Sequence, residues 1–169
     1  MGLSNLSAKR CLVTGASRGL GLAIAKALVA ADAKVFMSAK GAELLNAEAN
    51  SLGMPSMPAD LAVMGDVEKL AAAATEQLGS IDILVNSAGI FPVASAIDTA
   101  PDEFDRCMAI NVRAPFQLAR KFMPAMVKNK WGRILNIGSS SAYAGFKNTS
   151  AYCASKHALL GLTRALHDE

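Results

Sequence analysis

Residues 9–21, KRCLVTGASRGLG, constrain this chain more than any other stretch. A short apolar run, Cys11-Leu12-Val13, breaks at Thr14-Gly15. Gly15, Gly19 and Gly21 then lead into Leu20, Leu22-Ala23-Ile24-Ala25 and an alanine-rich helical pattern. The order is strand, tight glycine turn, helix, which presents helix N-terminal amides where an anion can sit. The spacing Gly15-x-x-x-Gly19-x-Gly21 departs from the G-x-G-x-x-G dinucleotide fingerprint, but the physical roles carry over. One glycine makes the turn, one lets a pyrophosphate approach closely, and one lets helix meet sheet. A glycine trio can also be a purely structural turn, so the rest of the chain has to decide.

Strand and helix patterns alternate from there to the end. Strands are expected at 10–13, 34–38, 54–59, 81–86 and 134–137, and helices at 19–31, 39–51, 67–78, from Asp98-Thr99-Ala100-Pro101 onward (with polar caps and a proline in the first turn), 110–128 and 151–167. Residues 81–86, IDILVN, are almost wholly apolar, as befits a parallel strand covered on both faces. Pro55 and Pro58 deny the third strand two donors, which places it at a sheet edge. Pro115 and Pro124 predict kinks or a break in the helix over 110–128. The alternation implies an α/β fold: a doubly wound, mostly parallel sheet of strand order 3-2-1-4-5, with residues 1–169 forming one domain.

Composition agrees with a packed globular chain: 169 residues, 52% hydrophobic and 18% charged. The net charge of +3 is spread along the chain without an arginine cluster, which argues against nucleic acid as a partner. Residues 1–8 are short and polar, and no apolar run approaches the ~20 residues of a membrane span. Cys11, Cys107 and Cys153 are far apart and odd in number, so they read as reduced thiols in a cytoplasmic protein, with Cys11 in the core.

Charge at the end of the second strand bears on the cofactor. Free ribose hydroxyls call for a carboxylate there, and a 2′-phosphate calls for cations. The chain has Ser38-Ala39-Lys40, with no acid before Glu43, and Arg18 lies inside the glycine turn. A charge-assisted pair with phosphate is strong and directional, so NADP(H) is the expected cofactor. Asp60, after the third strand, either meets the adenine amino group or caps the next turn.

Thr14-Gly15-Ala16-Ser17-Arg18-Gly19-Leu20-Gly21, Asn86-Ser87-Ala88-Gly89, Asn111, Ser139 and Tyr152-Cys153-Ala154-Ser155-Lys156, in that order and spacing, resemble the short-chain dehydrogenase/reductase family. The likeness runs from about residue 9 to the end. It implies a doubly wound fold that moves a hydride between NAD(P) and a carbonyl or alcohol. It also implies that Ser139, Tyr152 and Lys156 are the catalytic trio and that Asn111 completes a proton relay. Ser17 and Leu20 fall in the glycine turn. Asn86, Ala88 and Gly89 resemble the segment beside the cofactor, although Ser87 replaces the usual asparagine. Arg18 and Lys40 resemble the NADP-preferring members.

The residues support those roles independently. Tyr152 and Lys156 are four apart on a helix and so share a face. A phenol of pKa ~10 exchanges its proton poorly at neutral pH; a neighbouring ammonium favours the ionised form, and three units of change correspond to about 4 kcal/mol. Lys156 can in addition hold the nicotinamide ribose. Ser139, at the carboxyl end of the fifth strand, stands where ligands bind such sheets and can steady charge on a substrate oxygen. His157 and His167 read as exposed helix residues, Trp131 as a loop cover, and nothing has the ligand spacing of a metal site.

Members of the resembled family continue past a helix like that over 151–167, through another strand and a nicotinamide-covering loop. A C-terminally incomplete reductase is therefore expected, or a natural short form completed by association with its own kind. The substrate is expected to be a small carbonyl or alcohol compound and the working state a homo-oligomer, with no nucleic acid or membrane partner. The competing expectation is a weak or inactive NADP-binding regulatory protein of the same fold.

Overall fold

A computed structural model describes residues 6–169. The polar lead-in read from the sequence lies, for residues 1–5, outside the described residues. Five parallel strands, β1 (Arg10–Thr14), β2 (Lys34–Ala39), β3 (Ser56–Pro58), β4 (Ile83–Asn86) and β5 (Arg133–Asn136), form one sheet of order β3-β2-β1-β4-β5. This is the order the sequence requires, with the proline-flanked β3 at one edge.

Alternation along the strands feeds two cores. Leu12, Phe36 and Leu84 point to one face, where they meet Leu70 of α3 (Met64–Leu78) and Leu118 and Phe122 of α5 (Ala114–Lys128). Cys11, Val13, Val35, Met37 and Val85 point to the other, against Ala25 of α1 (Gly19–Ala30) and Leu45 and Ala49 of α2 (Ala42–Leu52). Both faces of the central strands are thus removed from water, which is the arrangement their unbroken apolar runs demand. Arg10 grips Asp82 through two nitrogens, at 2.8 and 2.9 Å, and its own amide reaches the same carboxylate at 3.0 Å. This bidentate contact fixes β1 beside the entry to β4.

Three expectations about elements need correction. β4 starts at Ile83, two residues late, although the Asp82 amide and carbonyl still bond Arg10 and Arg133. No break falls at Pro115 or Pro124. α4 (Pro101–Met108) runs through a π-helical turn, Ala109–Arg113, directly into α5. Pro115 stands in the first turn of α5, where a missing N–H costs least, and Pro124 lies inside that helix. Asp98 and Thr99 do not cap α4: both side chains bond Ser95, and Pro101 follows the uncapped Ala100.

At the carboxyl edge, Ser38, Thr14, Asn86 and Asn136 stand in register across four strands. Asn86 Nδ2 donates to Asn136 Oδ1 at 2.8 Å, and Asn136 Nδ2 donates to Thr163 Oγ1 at 2.9 Å. Thr163 belongs to α6 (Ser150–Asp168), which is thereby tied to the edge of the sheet where β1 and β4 end.

Candidate active site

The glycine turn between β1 and α1 forms one wall of an open cleft of about 650 Å³ at the carboxyl edge. Gly15 takes a left-handed conformation (φ 68°), and a Cβ there would lie 2.8 Å from the Ala88 amide nitrogen. A Cβ on Gly21 would run into the Gly15 carbonyl oxygen. Gly19 is also left-handed (φ 57°), but its Cβ direction is empty and faces open space. The three glycines therefore divide the work: Gly15 and Gly21 allow backbone to touch backbone, and Gly19 leaves backbone bare. No side chain caps α1, so its first amides are available to an anion.

Thr14 holds the two sides of the cleft together. Its hydroxyl accepts from the Ser87 and Ala88 amides at 3.2 Å each and donates to the Val85 carbonyl at 3.4 Å. Ser38 lines the cleft, and its buried hydroxyl has no partner among the described residues. Arg18 is exposed on the same rim and makes no ion pair among the described residues. Bare amides, an unpartnered hydroxyl and a free guanidinium suit a phosphorylated ligand, so the cleft fits a dinucleotide.

Lys40 and Asp60 face each other across this cleft at 2.9 Å. Asp60 also receives Arg106 Nη2, 3.2 Å from each oxygen, and the Ala62 amide at 3.0 Å. Burial pushes this carboxyl up; the hydrogen bonds from Lys40, Ala62 and Arg106, with the charge of Arg106, outweigh burial and hold it at about 2.

The second half of the site hangs from α6. Lys156 is buried, and its Nζ donates to the Ile137 carbonyl at 2.6 Å. Ile137 lines the cleft, so the ammonium stands at the cleft's end. Burial pulls that ammonium below the usual lysine range, with Cys107 opposing weakly. The same Nζ is 5.6 Å from the centre of the Tyr152 ring. Phe91 meets that ring edge to face, with centroids 4.5 Å apart. Ser139 begins a 3-10 turn, Ser140–Ala142, and its Oγ accepts from the Ser141 amide at 3.1 Å. The hydroxyl proton of Ser139 thus remains available to donate.

Asn111 lies in the π-helical turn, 1% exposed. Its Oδ1 accepts from the Ile90 amide, and its Nδ2 donates to the Ile90 carbonyl and to Ser155 Oγ, each at 3.0 Å. Ser155 donates in turn to the Tyr152 carbonyl at 2.7 Å. One buried side chain therefore couples the segment after β4 to the helix bearing Tyr152.

The sequence matches the short chain dehydrogenase family over residues 9–169. The chain belongs to that family. Among curated relatives are two enzymes named D-beta-hydroxybutyrate dehydrogenase. The one from Cupriavidus necator is 37% identical over 94% of this chain and 64% of its own length. The one from Rhizobium meliloti is 34% identical over the same shares. The chain thus spans just under two thirds of those relatives. Among solved structures, a metagenomic short-chain oxidoreductase in complex with NADP superposes with a TM-score of 0.91 at 35% identity, over 96% of this chain and 76% of that one.

Gly15, Ser17, Arg18, Gly19, Leu20, Gly21, Lys40, Asp60, Ala88 and Gly89 line the cleft together. Asn86 does not; it lies beneath, facing Asn136. Lys156 adjoins the cleft through Ile137, and Tyr152 stands beside Lys156 and Phe91. Sequence reasoning missed Ser38, Arg106, Ile137 and Ser155. Arg106 carries no local signal, while Ser155 stands between Tyr152 and Lys156 and was readable as the inward position of that helix.

Proposed function

We propose that the chain carries the cofactor-binding and catalytic part of an NADP(H)-dependent oxidoreductase interconverting a carbonyl compound and its alcohol. The reading is supported above all by the Lys156–Ile137 contact, since Ile137 lines the glycine-turn cleft and the Lys156 ammonium lies 5.6 Å from the Tyr152 ring centre. The glycine turn, with Ser17, Arg18 and Leu20, takes the pyrophosphate. Asp60 takes the adenine end, Ala88 and Gly89 flank the middle with Asn86 beneath them, and Tyr152 and Lys156 hold the nicotinamide ribose. Family membership supports NAD(P); unpaired Arg18, with Lys40 and no acid at the end of β2, favours the 2′-phosphate.

When bound, the reduced cofactor supplies a hydride to the carbonyl carbon. Tyr152 gives its phenolic proton to the carbonyl oxygen, and Ser139 donates a hydrogen bond to the same atom. The Lys156 ammonium steadies the negative charge left on the phenol oxygen. A water held by Lys156 and Asn111 restores the proton. The Asn111 side chain is fully committed to Ile90 and Ser155. Its share in holding the water therefore falls to its main-chain carbonyl, carried by the π-helical turn.

Two relatives are named for hydroxybutyrate, a secondary alcohol that also carries a carboxylate. A homo-oligomer is supported by Phe104 and Phe116, both exposed, and by Leu135 on the outer strand. Three free cysteines support a cytoplasmic setting.

The test is NADPH oxidation against a panel of ketones, with Tyr152→Phe as control. Loss of the proton donor is expected to lower turnover by roughly 10²-fold or more while NADPH still binds. Undiminished turnover in Y152F rejects the mechanism. Cofactor binding with no turnover in either protein favours the regulatory alternative.

A further inference from the structure

We propose that the site accepts uncharged carbonyl compounds bearing an aryl or long alkyl group, and that Phe91 sets this choice; the proposal rests on the reading of Tyr152 as proton donor. Two segments frame that residue. Residues 90–97, IFPVASAI, carry no charge, and residues 137–149, IGSSSAYAGFKNT, carry only Lys147. A parallel bridge pairs Ala94 with Thr149, and the Ala94 amide donates to the Asn148 carbonyl at 2.9 Å. The segments therefore meet three residues before Tyr152.

Together they expose Phe91, Val93, Ile97, Tyr143 and Phe146. Phe91 is 56% exposed even though its ring touches the Tyr152 ring. It is thus fixed at one end by the reacting side chain and bare at the other. Exposed aromatic surface held next to a proton donor gains by covering a substrate's apolar part, and edge-to-face ring pairs add orientation. A carboxylate brought to the same wall would shed water with one lysine in the two segments to receive it, and burying an ill-paired charge is costly. This sets the chain apart from relatives named for a hydroxy acid.

The experiment titrates the chain, in the presence of NADP⁺, with 4-phenyl-2-butanone and with acetoacetate by calorimetry. It also measures NADPH-dependent reduction of both. The phenyl ketone is expected to bind at least tenfold more tightly. Phe91→Ser is expected to cut that ratio about fivefold or more, with Val93→Ser moving it in the same direction and Lys147→Ala leaving it within twofold. Equal or tighter binding of acetoacetate, no measurable binding of the phenyl ketone, or an unchanged ratio in F91S overturns the proposal. So does a changed sedimentation coefficient in F91S with ketone binding intact, since the wall would then belong to a second copy of the chain. Binding in the expected order without reduction of either ketone leaves the substrate preference standing and removes the oxidoreductase reading.

Discussion

Asp60 gathers Lys40, Arg106 and the Ala62 amide onto one carboxylate. Its folded-state value of about 2 lies below the 3.8 of an unperturbed aspartate. A carboxyl with a depressed folded value adds stability that is complete above the unfolded value and vanishes as pH falls through the folded one. Urea midpoints of the native chain should therefore decline more steeply than those of Asp60→Asn as pH falls from 3.8 to about 2, and the two curves should converge there. Parallel curves across that interval would show that the ion pairs contribute nothing. The sequence offered two roles for Asp60, an adenine contact or a turn cap, and the Ala62 bond is the turn contact. Arg106, 46 positions away, could not be foreseen: a salt bridge between a loop and a helix leaves no periodic trace.

Among the elements, the π-helical turn decides how Asn111 is used. Asn111→Ala strips partners from both the amide and the carbonyl of the half-buried Ile90, at about 1 kcal/mol or more each. Ser155→Ala removes one link to Asn111 and leaves Ile90 satisfied, at a cost of about 1 kcal/mol. Denaturation should rank N111A well below S155A, and hydrogen exchange at the Ile90 amide should accelerate in N111A alone. Native-like protection of that amide in N111A would contradict the coupling. Regular features were legible here because they are local. Four-residue spacing put Tyr152 and Lys156 on one face, and apolar runs gave the strands and their order. The two prolines announced an irregular helix but not its place. That depends on what Asn111 finds across the gap, at Ile90 and Ser155, and on Pro115 occupying a first-turn position. The Phe91–Tyr152 contact was equally hidden, being made between the loop after β4 and the first turn of α6, which the Ala94–Thr149 bridge helps bring together.

At the scale of the whole molecule, the two sheet edges are managed differently. β3 is three residues long, has Pro55 before it and ends in Pro58, and offers little to an incoming strand. β5 pairs with β4 on one side only. Its start is guarded by cations gathered on Trp131, with Lys9 Nζ 3.6 Å and the Arg133 guanidinium 5.2 Å from the ring centre. Past Arg133 the guard stops: Leu135 is 44% exposed. Unpaired backbone beside exposed apolar side chains is a template for another strand. For a chain of these 169 residues, association should grow with concentration and should start at β5. Leu135→Lys puts a charge in the middle of that edge and is expected to suppress the fast-sedimenting fraction, whereas Met57→Lys on the proline-flanked edge leaves it unchanged. If the two variants associate alike, pairing does not begin at β5. If M57K alone stays monomeric, the prolines protect less than their missing donors imply.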